Sequence, residues 1–394
     1  MTIAESYDVV AIGGAVMGSS VAYYLAADPD FSGKVLVIEK DPSYQRCASA
    51  LSAAGIRQQY SCAINIQISL YGLEFLRWVG DVLEVDGVRP DIELLEGGYL
   101  FLATEENRPI LQANHALQTR LGADILFLEP SGLLERFPWL SVGDLSAGCW
   151  GRTGEGWFDG CGLMQAFRRK ARSLGVIYLS AAATGVERTG DRVSAVLLED
   201  GTRISCGAVV NAAGAGGPTI ARAAGLDIPV HNKKRMIFTF VCEDEVPHCP
   251  LLIDPTGVYV RPEGRGFLCG VAPPADADPD TDDFEVDYSF FNEGIWPVLA
   301  ARVPAFERLK LGRAWAGHYD MNTFDHNALV GLAPGFANFY LANGFSGHGI
   351  QQAPAIGRGL SELIIHRRYT TLDLSPLGFD RVLNNAPLVE RNVV

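Results

Sequence analysis

No stretch of the sequence stays apolar for the roughly 18 residues that a membrane-spanning helix needs, so no membrane span is expected. The N-terminus, MTIAESYDVV, has neither a basic segment nor the apolar run of a secretory signal, and a cytoplasmic protein is expected. Basic residues are short supply: 32 Lys and Arg against 46 Asp and Glu leave a net charge of −14. Such a surface repels nucleic acid and anionic lipid, so neither is expected as a partner. None of the eight cysteines forms a C-x-x-C pair, and their spacing fits no zinc site, so no metal is expected and the thiols read as reduced. Internal repeats and low-complexity tracts are missing too. What remains is a chain of 394 residues, 48% hydrophobic, too long for one compact core and pointing to two domains.

The clearest local pattern lies at the start. Tyr7 to Ile12 is an apolar run that ends in glycine and reads as a buried parallel strand. Val16 to Ala27 follows as a helix, and Lys34 to Ile38 as a second buried strand, completing a βαβ unit. Between strand and helix stands Gly13-Gly14-Ala15-Val16-Met17-Gly18, a G-x-G-x-x-G pattern with Ala15 in place of the middle glycine. Gly13 permits the tight turn and Gly18 the close approach of helix to strand, while the N–H groups at the helix start hold phosphate. Glu39 ends the second strand 21 residues after Gly18, placed to accept hydrogen bonds from ribose hydroxyls and to repel a 2′-phosphate. Motif, strands and acid together predict a bound dinucleotide.

Further along, Asn65 to Val79 reads as an amphipathic helix, with Ile68, Phe75 and Val79 among its apolar positions, and Cys161 to Leu174 as another. Strands are expected at VIYLSAAATGV, RVSAVLLEDG and GAVVNAAGAG. The acidic run PPADADPDTDDFEVD reads as a solvated excursion. A last helix is expected from Gln351 to His366, with Pro354 in its first turn, where proline is tolerated.

VVNAAGAGG (Val209 to Gly217), YVRPEGRGFLCG (Tyr259 to Gly270), WAGHYDMNTFDHNALVG (Trp315 to Gly331) and NGFSGHGIQQAPAIG (Asn343 to Gly357) join the opening motif in a resemblance that covers nearly the whole chain. The sequence resembles the D-amino-acid oxidase, glycine oxidase and sarcosine oxidase superfamily of FAD enzymes. ALSAAGIRQQYSCAINIQISL, after the second strand, is similar to the FAD-dependent oxidoreductase-domain proteins near dimethylglycine dehydrogenase. The resemblance implies a mixed fold, α/β and α+β. A Rossmann-type FAD-binding domain would take residues 1–82, 146–225 and 313–394. An interleaved, sheet-rich substrate domain would take 83–145 and 226–312.

It also implies site residues. The FAD would be met by Gly13, Gly14, Ala15, Val16, Met17, Gly18, Glu39 and Lys40, then by Arg46, Ser49, Ala50 and Ser52 where the loop crosses pyrophosphate and flavin. Val186 would give backbone contacts to the adenine, and Ala213 and Gly214 would lie against the dinucleotide. Gly344, Gly347, His348, Gly349, Ile350 and Gln351 form the C-terminal loop and helix start aimed at the flavin, where a helix dipole stabilises negative charge during reduction. Arg57 is placed to bind a substrate carboxylate, with Tyr60, Tyr259 and His348 as catalytic candidates and Arg235, Arg261 and Tyr319 in reserve. The alternative for Arg46, Arg235 and Arg261 is an ordinary surface arginine, and for His348 a packed, hydrogen-bonded ring. Gln351 stands where relatives carry a second, lysine anchor.

The activity so implied is oxidation of the carbon–nitrogen bond of a small amino acid or secondary amine (a D-amino acid, an N-methyl amino acid or an opine-like compound) by hydride transfer to flavin N5. The cofactor carries the hard step, so no acid–base pair is demanded. Non-covalent FAD is expected, because no cysteine follows Cys269 and Ser52 falls at the linking histidine of dimethylglycine dehydrogenase-like proteins. Leu268 takes the place of the lysine that sarcosine-type oxidases set near N5, so a quinone or protein carrier is expected as acceptor ahead of O2. The alternative is that Leu268 is an ordinary strand residue and Lys233, Lys234 or His348 supplies the charge. Another function class stays open: a non-catalytic flavoprotein acting as an assembly or scaffolding factor.

Overall fold

The structure, a computed structural model, describes residues 6–391. Its strands, in chain order, begin with β1 (Ser6–Ile12), β2 (Val35–Glu39), β3 (Gly55–Ile56), β4 (Tyr99–Ala103), β5 (Ile125–Leu128) and β6 (Ala147–Gly151). They continue with β7 (Gly156–Trp157), β8 (Ile177–Ser180), β9 (Ala183–Thr189), β10 (Arg192–Leu198), β11 (Arg203–Asn211) and β12 (Val230–Val241). The last six are β13 (Leu251–Ile253), β14 (Tyr259–Glu263), β15 (Gly266–Gly270), β16 (Lys310–Asn322), β17 (Leu329–Leu332) and β18 (Phe339–Asn343). Five helices matter for the site: α1 (Val16–Ala27), α2 (Ala63–Arg77), α3 (Arg108–Arg120), α4 (Gly160–Ser173) and α5 (Gly349–His366).

Two eight-stranded sheets take all the strands but β3 and β7, which pair with each other. The first runs β17-β18-β11-β1-β2-β8, with β10 and β9 attached beside β11. β1 lies parallel to both β2 and β11, and β2 to β8, as crossover connections require. Because both faces are covered, Val9–Ile12 of β1 and Val35–Ile38 of β2 are apolar without interruption: Val9 and Ala11 join one core, Val10 and Ile12 the other. α1 packs on the first of these cores, between α4 and α5. Gly357 leaves room for Ser20 there, and the Ser20 hydroxyl donates to the carbonyl of Ala353 at 2.7 Å.

The second sheet runs β16-β12-β15-β14-β13-β4-β6-β5. Its period of two sorts the side chains: Leu100, Leu102, Met236, Phe238 and Val260 fill an outer core, while Tyr99, Phe101 and Tyr259 look the other way. That second face meets the β3 region and the start of α5. The sheet reaches past the limits expected at 145 and 312. β6 pairs with β4 and β5, and β16 pairs with β12 over nearly its whole length.

One expectation gains detail and one needs correction. The acidic run is largely exposed, as its reading as a solvated excursion implies, and it also folds back on the basic strand β12. Asp278 takes both ends of the Arg235 guanidinium at 2.8 Å, Lys234 meets Asp283 at 2.6 Å, and Asp280 meets Lys233 and His231 at 2.9 and 2.8 Å. Opposite charge in the strand holds the solvated segment against it. Pro354 lies inside α5, past its first turn, because the helix starts at Gly349, two residues earlier than expected. Its missing N–H leaves the carbonyl of Ile350 without its usual helical donor.

Candidate active site

The β1–α1 turn is built for close approach. Gly13 has φ +100°, and a Cβ there would run into the carbonyl of Ala212, while one at Gly18 would run into the carbonyl of Gly13. Ala15 is the N-cap of α1 with no side chain capping it, and no acid sits in the first turn. The helix therefore presents N–H groups and dipole to whatever lies in front. Ala15 packs its methyl against the core, and Val16 and Met17 are buried in the first turn. The Glu39 carboxylate accepts from Gly14 N at 2.7 Å and Asp41 N at 2.8 Å. Ser49 faces the same turn, its Oγ 3.3 Å from Val16 N. Glycine cradle, uncapped helix and ribose-side acid fit a dinucleotide pyrophosphate.

Around this cradle the other cofactor candidates spread out. Ala50 and Ser52 flank the chain as it turns toward the second sheet, and Ser52 Oγ accepts from Ala54 N at 2.9 Å. Ala213 and Gly214 follow β11 at the cradle's edge, Gly214 with φ +52°. Val186 is buried in β9 opposite Val196, at the attached hairpin. Lys40 is exposed. Arg46 is exposed as well, but its guanidinium lies 5.3 Å from the Phe284 ring of the folded-back acidic segment.

Opposite the cradle, the structure brings Arg57, Tyr60, His348 and Gln351 together. The Arg57 guanidinium sits between aromatic faces, 4.2 Å from the Tyr60 centroid and 5.2 Å from that of Phe101 on β4. Its Nη1 donates to the carbonyl of Gln59 at 2.7 Å, and its Nη2 lies 3.2 Å from His348 Nε2. No carboxylate pairs with Arg57 among the described residues. Gln351 does not point its side chain along the helix toward the cradle. Its Oε1 accepts from Arg57 N at 3.0 Å and its Nε2 donates to the Tyr60 hydroxyl, so it ties the two substrate candidates together. Burial pushes the Tyr60 hydroxyl up to about 12, and burial with the nearby Arg57 and His326 holds His348 down to about 3.

The reserve arginines are already engaged. Arg235 is bound at both ends by Asp278. Arg261 donates through Nε and Nη2 to the carbonyl of Ala53 and pairs with Glu263. Neither is a surface residue, and neither offers an open guanidinium edge. Leu268 lies directly opposite Arg261 on the neighbouring strand, on the inward face. Tyr259 lies opposite Gly270, which leaves room for its hydroxyl, and Tyr319 covers Gly347.

Two residues behind the site escaped sequence reasoning. The carboxylate of Glu155 is fully buried. Its Oε1 accepts from Gln58 N at 2.6 Å and Gln59 N at 3.1 Å, and its Oε2 from Gln59 Nε2 at 2.7 Å. Burial raises it to about 7 against these donors and Arg57. Asp320, also buried, accepts from Gly344 N at 2.8 Å and Phe345 N at 3.2 Å, and burial raises it to about 6. The only signal in the sequence was a lone acid inside a Gly-rich or apolar stretch.

A dinucleotide cradle on one sheet, facing a second sheet across an arginine without a carboxylate partner, defines a two-sheet Rossmann-type redox protein. The chain belongs to the FAD dependent oxidoreductase family, which matches residues 8–363, and it is FAD-dependent. It is 41% identical to FAD-dependent oxidoreductase domain-containing protein 1 of Xenopus laevis, over 99% of this chain and 85% of that protein. Mouse mitochondrial sarcosine dehydrogenase is 27% identical over 92% of this chain and 40% of its own length. Among solved structures, L-proline dehydrogenase from P. horikoshii superposes with a TM-score of 0.86 at 26% identity, covering 98% of this chain and all of that one. No helix among the described residues is long and apolar enough to cross a membrane.

Proposed function

We propose that the protein oxidises the carbon–nitrogen bond of a small amino acid, with D-amino acids, N-methyl amino acids and opine-like compounds as the candidate substrates. The observation that carries this reading is Arg57. It is an always-charged guanidinium held between Tyr60 and Phe101 with no carboxylate of its own, ready for one from outside. The flavin, when bound, accepts the hydride released from the substrate's α-carbon. The protein's part is to orient: Arg57 takes the carboxylate, Gln351 fixes Arg57 and Tyr60, and Tyr259 and Tyr319 supply the facing wall. FAD would be held by Gly13 to Gly18, Glu39 and Ser49, with the start of α5 near the flavin. Cys269 faces the outer core with Phe238 and Val260, which supports a non-covalent cofactor. The apolar Leu268 supports transfer to a quinone or protein carrier over oxygen.

The test is an anaerobic screen of amino acids and secondary amines for loss of the visible flavin band. Reoxidation by air-saturated buffer or a soluble quinone is then followed by stopped flow. A carboxylated amine is expected to bleach the flavin, and quinone to restore it faster. A flavin that no amine reduces would favour the assembly-factor reading instead.

A further inference from the structure

The loop that carries Arg57 and Tyr60 is held from two sides. From within, Glu155 takes the N–H groups of Gln58 and Gln59. From outside, Glu390 takes those of Ser61 and Cys62. Its Oε2 accepts from Ser61 N and Ser61 Oγ at 2.7 Å, and its Oε1 from Cys62 N at 3.3 Å. Cys62 is the N-cap of α2 and offers no side-chain bond, and no acid lies in the helix's first turn. The carboxylate that this 15-residue helix draws to its positive end therefore comes from 328 residues away.

Glu390 arrives on a strap, residues 386–391, that is neither helix nor strand. Little apolar surface holds it: Leu388 is half-buried against the first core, and Val389 is 55% exposed. Its ties are polar. Leu388 N donates to Asp325 Oδ2 at 3.0 Å, and the carbonyl of Leu388 accepts from Asn327 Nδ2 at 2.6 Å. The carbonyl of Arg391 accepts from Asn114 Nδ2 on α3 at 2.9 Å. Under the strap the Cys62 thiol, 8% exposed, donates to the carbonyl of Val389 at 3.4 Å. Two routes lead inward. Ser61 adjoins Tyr60 in the chain. Glu390 Oε1 also accepts from Asn65 Nδ2 at 2.6 Å, and Asn65 Oδ1 accepts from Gln352 Nε2 at 3.2 Å. Gln352 adjoins the Gln351 that ties Arg57 to Tyr60.

We propose that Glu390 is a positioning residue for the substrate: carried by the strap, it fixes the 57–62 loop and so sets where Arg57 and Tyr60 stand, and lifting the strap loosens both. This rests on the reading above that Arg57 receives the substrate's carboxylate. Glu390 acts through Ser61, Cys62 and Asn65. Polar ties at a surface are exchanged for water at small net cost, unlike the apolar burial that holds the sheets, so the strap is the part of this wall that opens most readily. Glutamine at 390 breaks the arrangement without changing its size. Whichever way the amide is turned, its NH2 faces two donors, and the charge at the helix start is lost.

The experiment compares FAD-loaded wild type, E390Q and E390D. Labelling of Cys62 by a maleimide, located by peptide mass spectrometry with the exposed Cys161 as internal reference, reads the strap. Amide hydrogen exchange in the peptide 54–60, which excludes the groups bonded to Glu390, reads the loop. Flavin absorbance reads the binding of benzoate, a carboxylate probe, against uncharged benzamide. E390Q is expected to label Cys62 about tenfold faster, to exchange faster at Gln58 and Gln59, and to bind benzoate about tenfold more weakly. Benzamide binding and flavin content should not change. E390D, shorter by one methylene but still charged, is expected to fall between. Unchanged Cys62 labelling in E390Q overturns the strap. Faster labelling with unchanged exchange at 54–60 and unchanged benzoate affinity makes Glu390 a helix cap only and overturns its positioning role. Undiminished benzoate binding in R57A overturns the Arg57 anchor and with it the substrate half of the proposal, while labelling and exchange still judge the strap.

Discussion

The two walls of the site are made alike and differ in what they hold. One is the 57–60 loop, the other the 344–348 loop, and in each the backbone N–H groups of an irregular stretch end on a buried carboxylate. Glu155 serves the first and Asp320 the second. Irregular backbone cannot satisfy itself as a helix or strand does, so a buried loop needs such an acceptor. The Asp320 wall carries three demands on the backbone within four residues, with φ +71° at Gly344, +52° at Ser346 and +91° at Gly347, and leads into α5. The Glu155 wall carries side chains instead, Arg57 and Tyr60. On the function proposed above, Asp320 would govern the shape offered to the flavin, and Glu155 the placement of charge offered to the substrate.

The largest effect is expected from Asp320→Ala. It strands two buried donors next to strained backbone, and a loss of about 2–5 kcal/mol of stability is expected. Flavin content should fall with it. Calorimetry and the ratio of visible to protein absorbance measure both. A variant that keeps full flavin content would break the assignment of this wall to the cofactor.

Arg57→Ala comes next. The loss of a charge-assisted anchor should lower kcat/KM for the best carboxylated substrate by about 2–4 kcal/mol. Flavin content and melting temperature should hardly move, since Arg57 has no carboxylate partner whose charge would be stranded. If the variant instead purifies without FAD, the two walls share one role and the comparison fails.

How far the two walls could be read in advance follows from how local their determinants are. The β1–α1 cradle was legible because one contiguous run holds strand, turn and helix start, and each glycine answers a nearby backbone atom. Arg57, Tyr60 and His348 were nameable only through family resemblance, for they meet across 291 residues. Glu155 and Asp320 carry no periodicity or motif, and their meaning lies in the N–H groups they face. The acidic segment reads as solvated and is largely exposed, but its ion pairs are not legible in sequence because the countercharges lie in β12, 43 to 49 residues earlier. Pro354 was misplaced by a helix start two residues early, the kind of shift that helix boundaries commonly show.

The smallest effect would separate the walls by pH. Glu155 is raised by burial from 4.5 to about 7, and Asp320 from 3.8 to about 6. An acid raised in the folded state adds stability below its unfolded value and loses it as pH rises through the folded value. Glu155 thus weakens the fold between pH 4.5 and about 7, and Asp320 between 3.8 and about 6. His348, lowered to about 3, works in the opposite sense: its contribution is present above 6.5 and lost as pH falls. These slopes overlap, so the total curve is uninformative, but the difference between wild type and Glu155→Gln cancels Asp320 and His348. The stability of wild type relative to Glu155→Gln should fall as pH rises, by no more than about 3 kcal/mol over the window. About 1 kcal/mol of that should fall between pH 6 and 7, as Glu155 titrates through its folded value. Chemical denaturation of both proteins at half-unit pH steps measures it. A flat difference would mean that the N–H donors and the field of Arg57 keep Glu155 ionised throughout, making its wall one of fixed charge rather than one that titrates.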